Sequence, residues 1–235
     1  HLLGMLTDVG CFRHGNLVGN DQELWIPYDP AQAGMVAAEA MEAVAVVASP
    51  DDPVIRVLRR MIASTQDFAA IVGDDQQLVG MLTEHDGLRI GAAILGEDNR
   101  KVREESKAPV HVTEGSVPAV EAMARMDKYG IRHLAVVVDD QLIGVISRGD
   151  LIADNVGIDS AKRVEDIMRD REMYTALPND SLGGAAGKML VHRVGCLPVV
   201  REDGRLLRIL TRTDIIEAAV ATLEEGELFP SPETP

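Results

Sequence analysis

The chain has 235 residues, a net charge of −15 and a hydrophobic content of 46%, as expected for a globular protein of one or two domains. The negative charge argues against binding to nucleic acid or an anionic membrane, because both would repel the protein. Its two cysteines are too few for a disulfide framework. No run of about 18 apolar residues occurs, so we expect no membrane insertion. No signal peptide begins at His1, and we expect a cytoplasmic protein that requires no cofactor.

A short strand-to-helix pattern recurs along the chain at a constant spacing. Each copy has a hydroxyl residue followed three positions later by an aspartate, and the copies are Thr83 with Asp86, Ser147 with Asp150, and Thr211 with Asp214. The hydroxyl residues lie 64 positions apart, as their numbers show. A fixed period indicates duplicated structural units. A fourth, incomplete copy at residues 4–10 has Gly10 in place of the aspartate, so we infer that the chain begins within a truncated first repeat.

Hydrophobic periodicity predicts the order strand, helix, strand, strand, helix in each repeat. The second repeat predicts helix 31–44, strand 44–48, helix 54–63, strands 68–72 and 78–82, and helix 83–95. The third predicts strand 110–112, helix 117–129, strands 134–138 and 142–147, and a final helix after Ser147. The fourth predicts lead-in helix 164–168, strand 173–177, helix 181–191, strands 196–200 and 206–210, and helix 211–223. Since such small units bury little surface alone, we expect an α+β fold in which repeats pack in pairs, sheet against sheet.

These repeats and their flanking segments give the predicted domain boundaries. Residues 1–30 hold the truncated first repeat and a loop, 31–98 the second repeat, 99–157 the third, 158–223 the fourth, and 224–235 an acidic, proline-rich tail that we expect to be disordered. The only tryptophan, Trp25, lies in the loop, where we expect it to pack on a neighbouring repeat.

The repeats resemble the CBS domain family, named after cystathionine β-synthase, over residues 36 to about 222. The matching segments are the lead-in Asp166-Ile-Met168, the strand-to-helix opening Thr175-Ala-Leu-Pro-Asn-Asp-Ser-Leu182, and the second strands Arg132-His-Leu-Ala-Val-Val137 and Gly195-Cys-Leu-Pro-Val-Val200. The pattern of a hydroxyl residue followed by aspartate resembles the family's ribose-binding position. The resemblance implies β-α-β-β-α repeats paired by pseudo-twofold symmetry, with clefts for adenosine compounds. It also implies regulation of an attached enzyme, channel or transporter without chemistry of its own.

The aspartates of this pattern have two interpretations. A hydroxyl residue at a helix start with an acid three residues later is a capping box. A carboxylate can also accept from both ribose hydroxyls, which the resemblance implies for Asp150 and Asp214. Arg148 and Arg212, which follow the hydroxyl residue, could hold a phosphate or lie solvated at the surface. The second repeat has Glu84 there, and an acid works against phosphate, so Thr83 and Asp86 form either an empty site or a site for a neutral adenosine ligand.

Other candidate residues follow from the resemblance. The pairs Arg132 with His133 and Gly195 with Cys196 occupy the stretch where the family packs the nucleobase. Thr175 could contact the edge of the base, or it could be an ordinary β-branched strand residue. Adjacent acids at 74–75 and 139–140 could suggest a divalent cation, but we interpret both as hairpin turns.

The leading functional prediction is a ligand-sensing regulatory module. It would bind an adenine nucleotide (AMP, ADP or ATP) or a related adenosine compound between the third and fourth repeats, as in energy sensing, and shift their relative arrangement. One alternative is an oligomerisation module with empty clefts, and another is a module that responds to Mg²⁺. No catalytic motif occurs, so we expect no enzymatic activity. We expect a homodimer, and the sequence does not identify the regulated partner.

Overall fold

The computed structural model describes residues 44–154, 161–168 and 173–225. The truncated first repeat, the Trp25 loop, nearly all of the predicted helix 31–44 and the tail lie outside the described residues. The described residues divide into two compact units. Unit 1 joins residues 44–109 with residues 174–225, and unit 2 holds residues 110–173 as far as they are described.

The second repeat forms a three-stranded sheet with two helices. Its elements are β1 (Val47–Ala48), α1 (Val54–Ala63), β2 (Phe68–Val72), β3 (Leu78–Thr83) and α2 (Glu84–Ile94). Strand β2 is central, with β1 parallel to it and β3 antiparallel. Helix α1 buries Val57, Leu58 and Met61 at the i, i+1, i+4 positions of one face. Helix α1 and strand β2 have the bounds that the hydrophobic pattern predicted.

The third repeat has the same order of elements. After a short helix α3 (Val102–Glu105), the chain forms β4 (Val112–Thr113), α4 (Ala119–Tyr129), β5 (His133–Val138), β6 (Gln141–Ser147) and α5 (Arg148–Ala153). Two turn residues between β5 and β6, Asp139 and Asp140, have φ angles of 49° and 63°. Positive φ at both positions suits a two-residue hairpin, because its twist matches that of the strands. The prediction of a hairpin turn at these two acids is therefore confirmed.

The fourth repeat keeps only two strands of its predicted three. Its elements are α6 (Val164–Ile167), α7 (Leu182–His192), β7 (Cys196–Val200), β8 (Leu206–Thr211) and α8 (Arg212–Glu225). The predicted strand 173–177 is reduced to a single parallel bridge between Ala176 and Val199. A continued parallel ladder would need the amide of residue 198 to donate to residue 174, but Pro198 has no N–H.

Helices of the second and fourth repeats pack closely in unit 1, and glycines make this possible. A Cβ atom on Gly87 of α2 would lie 2.8 Å from Ile216 Cδ1 of α8. A Cβ atom on Gly183 of α7 would lie 2.4 Å from the carbonyl oxygen of Leu95. The shared core draws buried apolar residues from both repeats, including Leu88, Leu95, Leu182, Met189, Leu210 and Ile215.

This packing differs from the sequence prediction in one respect. Within unit 1 the fourth repeat packs against the second repeat, and helices rather than sheets meet there. The physical reason is that the small residues on α2 and α7 allow helix backbones to approach, which the strand pattern does not reveal. Pairing of the third with the fourth repeat stays a prediction.

The segment before the third repeat's sheet belongs to unit 1. Residue Lys107 forms an antiparallel bridge with Ile209 of β8, and Lys101 forms one with Ser181. The side chain of Val102 is fully buried in the core that the second and fourth repeats share. Helix α6, which precedes the fourth repeat, instead packs in unit 2, where the Val164 amide donates to the Val117 carbonyl at 3.0 Å. Sequence repeats and compact units therefore divide the chain differently.

Candidate functional site

All three helix starts that follow the recurring pattern are built alike. In each, Oδ2 of the aspartate accepts from the backbone N–H of the hydroxyl residue at 2.7–3.1 Å. The same oxygen accepts from the side-chain hydroxyl at 2.6–2.7 Å, and the aspartate's own N–H donates to that hydroxyl. These reciprocal bonds form a capping box. The three pairs are Thr83 with Asp86, Ser147 with Asp150, and Thr211 with Asp214. The capping interpretation is thus confirmed, and it occupies one carboxylate oxygen in each pair.

The second oxygen of Asp214 faces a cation. Its Oδ1 atom lies 2.8 Å from Nζ of Lys107, although the Asp214 side chain is only 1% exposed. The Lys107 ammonium also lies 3.2 Å from Oε2 of Glu217, one turn further along α8. A buried carboxylate needs such a partner, because burial of an unpaired charge is costly. Asp214 is therefore a fixed, buried acid with one oxygen devoted to the cap and one directed at a cation.

Lys107 is held in place from its backbone and remains charged. Its N–H donates to the carbonyl of Ile209 at 2.9 Å, and it accepts from the Ile209 amide at 3.1 Å. Partial burial works to lower the pKa of Lys107, but the hydrogen bonds and charges of Asp214 and Glu217 outweigh it and raise the pKa above its ordinary value. The sequence analysis did not identify Lys107, because it lies outside the repeat pattern. It also lies 107 positions before Asp214 along the chain, so nothing in the sequence links the two residues.

Glu84 lies against the start of α8 from the second repeat. Its side chain is about one-tenth exposed, and Oε1 accepts from the hydroxyl of Thr213 at 3.0 Å. The other oxygen, Oε2, lies 3.9 Å from Nη1 of Arg212. Glu84 and Arg212 hold equivalent positions in their repeats, directly after the hydroxyl residue. Two repeats thus bring opposite charges together where each helix begins.

The Asp86 carboxylate of the second repeat is less enclosed than that of Asp214. Its side chain is 30% exposed, and Oδ1 lies 3.2 Å from Nη2 of Arg89 on the next turn of α2. The hydrogen bond from the Thr83 hydroxyl lowers the pKa of Asp86, burial opposes this, and the Thr83 amide and the charges of Arg89 and His85 add to the lowering. Asp86 is therefore ionised at neutral pH, and its pKa lies below the ordinary value.

The third repeat directs its arginine inward. Arg148 is 8% exposed, and its Nη1 atom pairs with Oδ1 of Asp127 on α4 of the same repeat. Its backbone N–H donates to the carbonyl of Arg132 at 2.8 Å. Neither arginine of the pattern is the solvated surface side chain that the sequence left open, since Arg212 faces Glu84. A role of the two arginines as phosphate ligands stays a prediction, and it would require Asp127 and Glu84 to release them.

The predicted nucleobase residues lie beside the helix starts. His133 pairs with Ser147 across the β5–β6 hairpin, and Cys196 pairs with Thr211 across β7–β8. The Arg212 amide donates to the carbonyl of Gly195 at 3.2 Å, which matches the Arg132 contact in the third repeat.

Cys196 is buried, which raises the pKa of its thiol to about 12 despite the nearby charge of Arg212. The thiol therefore stays protonated at neutral pH, so it provides apolar surface and does not act as a nucleophile. The carbonyl of Thr175 accepts from Nζ of Lys188 at 2.7 Å. A contact between its side chain and a base stays a prediction.

Within the part of the chain that the structure describes, no cluster of three or more histidine, cysteine, aspartate or glutamate side chains is arranged to hold a metal ion. No helix there combines the length and apolar character needed to cross a bilayer.

The sequence model of the CBS domain matches residues 37–92, 102–155 and 164–221. These stretches coincide with the three described repeats and cover most of the chain. The chain belongs to the CBS domain family. The tandem CBS repeats, with their mixed helices and small sheets, confirm both the resemblance and the predicted fold class.

Individual relatives show how much of the chain is shared. Protein MJ1225 of Methanocaldococcus jannaschii is 27% identical over 194 residues, which cover 76% of this chain and 68% of that protein. Its crystal structure, described as that of a proposed archaeal homologue of γ-AMPK, has a TM-score of 0.72 at 25% identity, with coverage of 80% and 72% of the two chains.

Enzymes share shorter segments. Inosine-5′-monophosphate dehydrogenase of M. jannaschii is 34% identical over 98 residues, which are 41% of this chain and 19% of the enzyme. Homoserine O-acetyltransferase of Methanococcoides burtonii is 35% identical over 91 residues, 38% of this chain and 18% of the enzyme. The similarity therefore spans less than a fifth of either enzyme.

Proposed function

We propose that this chain is a regulatory CBS module that binds an adenosine-containing small molecule at the helix starts of its repeats and catalyses no reaction. The observation that carries the proposal is that the two carboxylate oxygens of Asp214 have different partners. Its Oδ2 atom completes the cap at Thr211, while Oδ1 is fixed in a buried position next to a movable lysine side chain. Capping and ligand binding are therefore compatible functions of one carboxylate.

A ribose diol fits the chemistry of the Oδ1 atom. Each vicinal hydroxyl is a hydrogen-bond donor, and a carboxylate oxygen has two acceptor positions. The Lys107 side chain is 62% exposed, so it can swing into water when the hydroxyls replace it. The neighbouring strand ends, with Gly195 and the apolar Cys196, offer a small-residue wall on which a base could lie. The buried acid would then be satisfied in both states, first by Lys107 and then by the ligand.

Displacement of Lys107 supplies a route from ligand binding to a conformational change. Its backbone joins the segment 101–109 to the edge of β8 through the Ile209 bridge. A ligand that binds only one arrangement of this segment would shift the population toward that arrangement. Binding between the third and fourth repeats stays a prediction, since the strands of these repeats belong to different compact units.

The comparisons support a regulatory role in this chain. Segments similar to this chain make up less than a fifth of two enzymes that catalyse unrelated reactions. An accessory module attached to different enzymes would show this pattern. Similarity to a protein described as a proposed archaeal homologue of γ-AMPK points the same way. These relatives favour regulation over an independent enzymatic activity.

Calorimetric titration of adenosine, AMP and ATP into wild type and Asp214→Asn tests the proposal. Asparagine can still accept at the cap, but its amide cannot accept from ribose with the strength of a carboxylate. We expect the loss of about 1.5–3 kcal/mol of binding, or roughly tenfold to hundredfold in affinity. The matched control is Asp75→Asn, which removes an equal charge from an exposed turn of the second repeat and should leave binding unchanged.

The same protein samples distinguish the alternatives. A ligand that binds only the folded state raises the melting temperature, so adenosine, AMP, ADP, ATP and Mg²⁺ can be compared by thermal shift. A rise with Mg²⁺ alone would favour an ion-responsive module, and no rise with any compound would favour a structural module. Either result would contradict the proposed adenosine ligand.

We also propose that the chain forms a homodimer. Several large apolar side chains are exposed on the described sheets, among them Val79 at 59% and Met81 at 45%. Contiguous exposed apolar surface often marks a protein–protein contact. Light scattering at micromolar concentration should give twice the monomer mass of 25.4 kDa, and a monomer mass would contradict this proposal.

A further inference from the structure

The strongest unexplained feature of the site is the buried acid at the start of α8. Glu84 comes from a different repeat, is about one-tenth exposed, and points both oxygens at the fourth repeat's helix start. A carboxylate buried this deeply needs a specific partner to offset its lost hydration. Two of the groups that it reaches, the Thr213 hydroxyl and the Arg212 guanidinium, would otherwise be available to an anion.

A phosphate at this helix start would require the same groups. The helix dipole favours an anion at the N-terminus of the 14-residue helix α8, although the amides of Arg212 and Asp214 already donate to the Gly195 carbonyl and the Thr211 hydroxyl. Arg212, in its first turn, is the guanidinium that could bind such an anion with paired hydrogen bonds. The carboxylate of Glu84 already faces this guanidinium and repels a second anion, and burial reduces the screening of that repulsion by water and salt.

The local charge balance strengthens this argument. Two cations of the site, Lys107 and Arg212, face three carboxylates, those of Glu84, Asp214 and Glu217. The group therefore has an excess of one negative charge before any ligand binds. An uncharged adenosine compound adds no charge of its own, whereas AMP would add one or two negative charges.

Glu84 cannot easily move away, because its helix is held against α8. A Cβ atom on Gly87, one turn after Glu84, would lie only 2.8 Å from Ile216 Cδ1 and 2.9 Å from Leu58 Cδ2. On the next turn, a Cβ atom on Gly91 would lie 3.0 Å from Ile215 Cγ2. The backbone that carries Glu84 is thus fixed relative to Arg212, and only side-chain rotation could release the arginine.

We propose that Glu84 determines the ligand class of the fourth repeat: it holds Arg212 and excludes phosphate, so that this site takes uncharged adenosine compounds in preference to nucleotides. The inference rests on the proposed function, because it concerns the ligand of that same site. Glu84 acts as a specificity-determining residue and contacts no reacting group.

Titration of adenosine and of AMP into three proteins tests the inference. Wild type should bind adenosine about tenfold or more tightly than AMP. Glu84→Gln should improve AMP affinity by roughly tenfold to hundredfold, because Arg212, no longer opposed by an acid, can form a charged hydrogen bond with the phosphate. Adenosine affinity should stay within about twofold in both proteins, because an uncharged ligand needs no free arginine. The matched control is Glu97→Gln, an exposed acid just after α2, which removes the same charge and should alter neither affinity.

A second variant covers the case in which Glu84→Gln fails to fold. Thr213→Val removes the hydroxyl that holds Oε1 of Glu84 and changes no charge. It should loosen Glu84 and improve AMP affinity by a smaller factor of about three to ten, because the acid stays in place and only one of its contacts is lost. This change should again leave adenosine affinity as it was.

The outcomes separate the two proposals. If wild type binds AMP as tightly as adenosine, or if neither Glu84→Gln nor Thr213→Val improves AMP binding, Glu84 does not set the ligand class, while the proposed adenosine site stands. If wild type binds neither compound, the proposed function fails, and this inference fails with it.

Discussion

Arg148 and Arg212 occupy the same position in two repeats and make different contacts. Arg148 pairs with Asp127, which comes from a helix of its own repeat, and is 8% exposed. Arg212 reaches Glu84, which comes from another repeat, and its side chain is 25% exposed. The capping boxes beside them nevertheless use the same three hydrogen bonds, and the hydroxyl-to-carboxylate distances are 2.6 Å at Ser147 and 2.7 Å at Thr211.

This difference separates what local sequence determines from what packing determines. The cap involves residues three apart, so the same residues form it wherever they occur. The acid opposite each arginine is supplied by whatever helix packs nearby, and that depends on the tertiary arrangement. Equivalent positions in a repeat protein can therefore share a backbone and differ in chemistry.

The largest expected effect comes from breaking the contact in the third repeat. Asp127→Ala leaves the buried guanidinium of Arg148 without its acid, and breaking a buried pair typically costs about 3–5 kcal/mol. Because Asp127 is 34% exposed, water can partly replace it, and we expect a loss of about 2–3 kcal/mol in the free energy of unfolding. Denaturant unfolding with an unchanged m-value measures this loss.

A double-mutant cycle sharpens the comparison between the two arginines. The coupling of Asp127→Ala with Arg148→Met should exceed that of Glu84→Ala with Arg212→Met, because the second pair is separated by 3.9 Å and its arginine is more exposed. Equal coupling energies would show that the two contacts are equivalent after all.

Much of the fold could be predicted from the sequence, because local patterns determine it. The 64-residue period identified the repeats, the apolar spacing gave helix α1, and the hydroxyl-x-x-Asp pattern gave three helix starts. The strand predicted at 173–177 was too long, since Pro198 in the adjacent strand cannot donate to it. This loss depends on a partner strand that the segment's own sequence does not specify.

The composition of the site could be predicted only in part. Asp214 and Thr211 belong to the repeat pattern and could be named, but Lys107 and Asp127 could not. Glu84 could be named only as an acid of the second repeat, not as the partner of Arg212. Each of these three meets its partner through tertiary contact, and each is a charged residue of a common surface type. Predicting them would have required knowing that the segment 101–109 lies on β8 and that α2 lies on α8.

A smaller effect should come from separating α7 from Leu95, which directly follows α2. Gly183→Ala places a Cβ atom 2.4 Å from the Leu95 carbonyl oxygen, a backbone atom that cannot rotate away. We expect a loss of about 2 kcal/mol in the free energy of unfolding, typical of overpacking. On the same helix, a Cβ atom on Gly187 meets nothing within 4 Å. Gly187→Ala should therefore be neutral or stabilise by up to about 1 kcal/mol through helix propensity. Similar changes in both variants would argue against close packing at Gly183.

The smallest expected effect concerns the pH dependence of Asp86 and Lys107, two groups with shifts of opposite sign. The folded pKa of Asp86 lies below its ordinary value of 3.8, chiefly through the Thr83 hydroxyl. Its contribution to stability is therefore present above about pH 4 and is lost as the pH falls through the lower folded pKa. At 30% exposure we expect less than about 1 kcal/mol.

Lys107 should act at the opposite end of the pH range. Its folded pKa lies above the ordinary value of 10.5, so its contribution is present below that value and is lost as the pH rises through the higher folded pKa. Unfolding of wild type, Asp86→Asn and Lys107→Met across the pH range measures both. The stability difference between wild type and Asp86→Asn should shrink only below about pH 4, and that between wild type and Lys107→Met only above pH 10.5. A Lys107→Met difference that stays constant into the alkaline range would mean that Asp214 does not rely on Lys107 for its charge balance, and would remove the lysine from the proposed ligand exchange.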